Sequence, residues 1–287
     1  MLRIYLLILI IVLMSCYATD NKVSIKTQSL VEDSTENVAQ KTKTTLKTRI
    51  NPPTDYKRSV IDKNSFQAYL RTLKLKPEGS KVRYFDGSIK SNTEVYHAVV
   101  DLDIGDRDLH QCADAVIRLR AEYLWHQKKY DQIHFNFTNG FRVDYSEWMK
   151  GKRMIINGNK TSWNNRNNPS NTYQDFWKYM ELIFAYAGTA SLEKELQPIA
   201  IGDAKIGDML IQGGYPGHAV IIVDKAVNHE NDSFLYLLAQ SYMPAQELQI
   251  LNNPNNDNIS PWYELKEGTI KTPEWKFTSD NLKRWRE

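Results

Sequence analysis

The chain has 287 residues, a formal net charge of +3 and two cysteines. That charge is too small and too scattered to argue for nucleic acid as a partner. Only Cys112 lies outside the leader, so no disulfide can close within the folded part and stability must come from the core.

The first element is that leader. Met1-Leu2-Arg3 carries one positive charge, and Ile4 to Val12 is apolar apart from Tyr5. The run falls far short of the ~20 residues a spanning helix needs and has the shape of a secretory h-region. Leu13-Met14-Ser15-Cys16 resembles a bacterial lipobox. The resemblance implies cleavage before Cys16, a lipid on its sulfur and an exported protein held to a membrane without spanning it. The alternative is an ordinary signal peptide with an incidental cysteine. Residues 16–50 are polar and cannot bury enough surface to offset the entropy of ordering, which predicts a flexible tether. Asn51-Pro52-Pro53 marks its end, and residues 51–287 read as a single domain.

Phe66, Tyr69, Leu70 and Leu73 recur at helical spacing, so Ser65 to Leu73 predicts a short helix. Val82 to Phe85 and Val95 to Leu102 read as strands. The loop Asp103 to Asp108 suits capping of a helix from about Leu109 to Gln127. Leu109, Cys112, Val116, Leu119 and Tyr123 form its apolar stripe, with Arg118, Glu122 and His126 on another face. A strand at Ile133 to Phe137 follows, then a hairpin turning at Gly158-Asn159, and a strong helix from Tyr173 to Tyr186. Ser191 to Leu196 suggests another helical turn. Strands are predicted at 209–212, 219–224, 234–241 and 247–251, with a loop-rich tail from Asn252. Helices first and strands after argue for an α+β fold.

The chemistry-bearing pair is Cys112 and His218. A thiol attacks as its thiolate, and unpaired N–H groups at a helix start favour that anion. Cys112 lies at or near such a start, although the acids before it would oppose the effect if they faced it. His218 follows the turn Gly213-Gly214-Tyr215-Pro216-Gly217 and opens the apolar run Ala219 to Val223, which suits a strand buried on both faces. A third polar group should orient the imidazole, and Gln240 or Ser241 on the next strand is placed to do so. The amide oxygen of Gln240 makes it the preferred residue. Backbone N–H groups at the helix start, with the Gln111 amide, would stabilise an oxyanion. No cofactor is required, and zinc-ligand spacing is lacking. The acids Asp101 to Asp108 offer oxygen ligands for calcium, but helix capping and an ion pair to Arg107 explain them as well.

Gln111-Cys112, Ile206 to Ile211, Gly217 to Val223 and a polar residue on the next strand are together similar to the layout of the CHAP and NlpC-type cysteine peptidases. The resemblance implies a papain-like core with Cys112 as nucleophile, His218 as base and Gln240 as orienting residue. It also implies amide bonds of peptidoglycan as substrate. The segment between Cys112 and His218 is longer than in the compact members, and Gln stands where they more often carry His, Asn or Glu. At closer range the stretches 101–124, 134–141, 187–196, 217–224 and 238–246 resemble a family of bacterial envelope proteins known as domain of unknown function 4846. The expected protein is thus a lipid-anchored cysteine amidase or peptidase of the cell envelope. The alternative is a non-catalytic module that binds peptidoglycan or a partner protein through the same groove.

Overall fold

The computed structural model describes residues 44–286, and the leader and Cys16 lie outside the described residues. The folded unit starts earlier than composition predicts. Leu46, in the turn of helix α1 (Leu46–Arg49), and Ile50 are both buried, so the last residues assigned to the tether belong to the core.

From there the order is β1 (Lys57–Arg58), α2 (Phe66–Arg71), β2 (Tyr96–Val99), α3 (Cys112–His126), β3 (His134–Asn136), β4 (Arg142–Asp144) and α4 (Tyr145–Met149). The hairpin β5 (Lys152–Asn157) and β6 (Lys160–Asn165) precedes α5 (Tyr173–Tyr186) and α6 (Thr189–Glu195). Strands then dominate: β7 (Leu196–Pro198), β8 (Met209–Gln212), β9 (His218–Asn228), β10 (Ser233–Gln240) and β11 (Gln249–Leu251). Four more follow: β12 (Trp262–Tyr263), β13 (Thr269–Lys271), β14 (Lys276–Thr278) and β15 (Leu282–Trp285). The fold is α+β, around one large antiparallel sheet in the order β2-β11-β10-β9-β8-β15-β7. Among the described residues no helix is long and apolar enough to cross a membrane.

Strand β9 is the axis of that sheet, and its alternation sorts two cores. Ala219, Ile221 and Val223 join the apolar side of α3 and α5, while Val220 and Ile222 join Leu238, Tyr263 and Phe277 on the opposite face. This is why the run has no polar position: each face has its own cover. Gly207 has φ +94°, and its turn passes beside the Phe66 ring as it leads into β8.

Two expectations change. Val82 to Phe85 forms isolated bridges rather than a strand, with Arg83 opposite Ile89 and Tyr84 opposite Gln246. The tail is not all loop, because β15 inserts between β8 and β7. Helix α3 is buried nearly all round. Arg118 stacks on Trp177 at 4.5 Å and Glu122 accepts from the Tyr173 hydroxyl at 2.6 Å, so these two polar residues make internal contacts.

Candidate active site

Cys112 is the first residue of α3, with Gln111 as its N-cap. The backbone N–H of Gln111 donates to Asp114 Oδ2 at 3.0 Å, which anchors the first turn. The thiol is buried, and the N–H groups of Ala219, Ala113 and Cys112 itself favour its anion. They do not prevail. Burial, reinforced by the Asp114 carboxyl, pushes the thiol up to about 11. The expected activation by the helix start is therefore outweighed in the resting molecule. Of the acids suspected beforehand, Asp108 is committed elsewhere: its Oδ1 accepts from Ala245 N at 2.7 Å and from Gln111 Nε2 at 3.1 Å. The Gln111 amide is thus tied to a loop and is not placed as an oxyanion donor.

His218 is the first residue of β9 and is 1% exposed. The turn before it presses on the start of α6. A Cβ at Gly217 would meet the Thr189 hydroxyl and the carbonyls of Gly214 and Gln212, so only glycine allows this approach. By strand alternation the ring lies on the face of Val220 and Ile222, away from α3. Tyr242, Trp275 and Phe277 surround it, with ring centroids at 4.7, 5.2 and 5.9 Å. Burial lowers its pKa to about 4, so the imidazole is neutral at pH 7.

A chain of hydrogen bonds fixes which nitrogen carries the proton. Lys90 Nζ lies 2.8 Å from both oxygens of Glu274, an ion pair. A carboxylate only accepts, so the Gln240 amide must turn its Nε2 toward Glu274 Oε2, at 2.6 Å. Its Oε1 then faces His218 Nε2, at 2.8 Å. An amide oxygen also only accepts, so His218 holds its proton on Nε2 and its lone pair on Nδ1. Nδ1 takes no hydrogen-bond partner among the described residues.

The structure therefore joins His218 to Gln240 and places the Cys112 sulfur against the backbone that follows His218. The sulfur approaches the N–H of Ala219, the peptide group joined to His218 itself, and Tyr242 lies near both side chains. No thiol–imidazole hydrogen bond is present among the described residues. Ser241 is not part of the set. Its hydroxyl donates to Gln246 O at 2.6 Å and to His110 O at 2.9 Å, a loop tie. Sequence reasoning missed Glu274, Lys90 and Tyr242. Pro273-Glu274-Trp275 read as an irregular cover, and its one acid carries no pattern that points to a partner 34 residues away. No group of three or more His, Cys, Asp and Glu side chains among the described residues is arranged to hold a metal.

No curated protein and no solved structure matches the chain. The family described as domain of unknown function (4846) matches residues 46–284, which is most of the chain and nearly all of the folded unit, and the protein belongs to that family.

Proposed function

We propose that this domain is a cysteine amidase or peptidase with a papain-like arrangement of helix and sheet, acting on cell-wall peptide or another envelope amide. The observation that carries the reading is the Lys90–Glu274–Gln240–His218 chain, which ends on an unpartnered Nδ1 at the residue whose chain neighbour, Ala219, offers its N–H to the Cys112 sulfur. A base oriented by an acceptor, itself oriented by a carboxylate, is the equipment of acyl transfer.

The neutral resting pair sets the order of events. The proton of Cys112 Sγ passes to His218 Nδ1 as the sulfur attacks the carbonyl carbon, forming the C–S bond. The first N–H groups of α3 stabilise the oxyanion. The imidazolium returns the proton to the leaving nitrogen as the C–N bond breaks. His218 next takes a proton from water, whose oxygen attacks the thioester and releases acid and thiol. No cofactor enters this sequence. The rings over His218 must give way first, and the exposed Tyr215 and Met243 flank the two strand ends where a peptide would arrive. Upstream, the Cys16 lipid would hold the domain at the membrane.

A second reading has its own support. The buried, strongly protonated thiol and the facing of His218 away from α3 favour a non-catalytic module that binds peptidoglycan or a partner protein at the same place. Digestion of purified cell wall separates the two. The enzyme reading expects new muropeptides from the wild type and none from Cys112→Ala. Identical profiles, with both proteins sedimenting with the wall, would establish the binding module instead.

A further inference from the structure

A second feature lies at the other end of α3. Arg120 is eight residues from Cys112, about 12 Å along the helix, and faces a cavity of about 240 Å³. The walls come from α3, β3, the end of α6 and the last strand, β15. Arg120, Arg142, Lys194 and Arg286 all line it, against the single carboxyl of Glu195. Packing does not require this excess of cations at one small opening.

Two buried nitrogens on the same walls lack any protein partner, Trp285 Nε1 and His134 Nδ1. An indole N–H can only donate, so it needs an acceptor that the chain does not supply. Glu195 opposes an anion weakly. Its Oε1 accepts from the Asn136 N–H at 2.8 Å, and burial lifts the carboxyl to about 7 despite Arg142 nearby. Lys194 has no ion-pair partner among the described residues, while Arg142 shares its charge with Asp144 at the surface.

We infer that this cavity is a binding site for a small oxyanion, a phosphate or a carboxylate group, held by Arg142 and Lys194 at the rim and by the Trp285 indole N–H inside. The inference is independent of the Cys112 reading. A charge-assisted pair of contacts at the rim sets affinity, and the indole sets position.

Calorimetric titration of the full-length chain tests it, with inorganic phosphate in one arm and acetyl-alanyl-alanine in the other. Saturable binding of at least one probe is expected. Changing Arg142→Gln and Lys194→Gln together should weaken it by about tenfold or more, since charged hydrogen bonds are the strong ones. Both side chains are exposed, so the fold should survive. Trp285→Phe keeps the ring, removes the donor and should weaken binding severalfold. Tighter phosphate binding would assign a phosphate ester as ligand, and tighter dipeptide binding a peptide C-terminus. Failure of both probes to saturate, or equal affinity in the rim variant, would overturn the proposal.

Discussion

Strand β9 carries two buried polar networks, one at its first residue, His218, and one past its middle at Asp224, and the two differ in how they close. At Asp224 both carboxylate oxygens are used. One carboxylate oxygen takes Arg58 Nε at 2.7 Å, and the other takes Arg71 Nε at 2.6 Å and the Lys225 N–H at 2.8 Å. The guanidiniums then bond to the carbonyls of Ile50 and Ser59. At His218 the network is open. Lysine, glutamate and glutamine are satisfied in turn, and the last ring nitrogen is left over. A closed network pins β1 and α2 to the sheet. An open one holds a ring nitrogen in place without using it, which is what the proposed catalytic or binding role requires.

The contrast can be broken most severely at the closed end. Asp224→Ala leaves two guanidiniums facing each other out of water and should cost about 3–5 kcal/mol, read as a large drop in melting temperature. A variant that melts like the wild type would show that the network is ornamental.

The open end has a pH signature. His218 is held neutral, with a folded-state pKa of about 4 against 6.5 unfolded. Between those values the unfolded chain binds more protons, so stability is complete above pH 6.5 and falls as the pH drops toward 4. The loss amounts to about 3 kcal/mol for this group. His110, fully buried and lowered to about 3, acts in the same direction. Melting temperatures across pH 4–7 should decline less steeply in His218→Asn. An identical slope in the variant would sink the assignment.

Glu274→Gln is a milder cut, about 2 kcal/mol from the lost charge-assisted bonds to Lys90 and Gln240. Its sharper readout is the tautomer. Nitrogen-15 shifts of His218 should show the Nε2–H form in the wild type and a mixture in the variant, since a glutamine at 274 no longer dictates the Gln240 flip. Finally, alkylation of Cys112 in a Cys16→Ser background should accelerate only in alkaline solution, with an apparent pKa near 11 that falls in Asp114→Asn. A reactive thiol at neutral pH would mean that the resting cover over the site opens freely.

Much of the scaffold was legible from residue patterns. Helix α5 matches its predicted span, because Phe176, Met180, Ile183 and Phe184 recur at helical spacing behind the Thr172 cap. Strand β8 and the apolar run after His218 were equally clear, being bounded by glycine turns. Gln240 was found because one amide interrupts an apolar run. The misses share a cause. Strand β15 has a mixed pattern, and only its pairing with Met209 and Leu210 on one side and Leu196 to Pro198 on the other makes it a strand. The partners of Arg118 and Glu122, Trp177 and Tyr173, are distant in the chain, so periodicity could place the two residues on a face but not pair them.

The sequence by itself determined the fold class, the central strand and the two residues His218 and Gln240, since periodicity and turn chemistry are local properties. Tertiary structure alone decided the rest: that Glu274 and Lys90 complete the relay, that Ser241 and Gln111 serve loops, and that four cations converge on the far end of α3. It also decided the state of Cys112. A helix start favours a thiolate wherever it occurs, but desolvation depends on what the rest of the chain lays over the sulfur, and here desolvation is the larger effect.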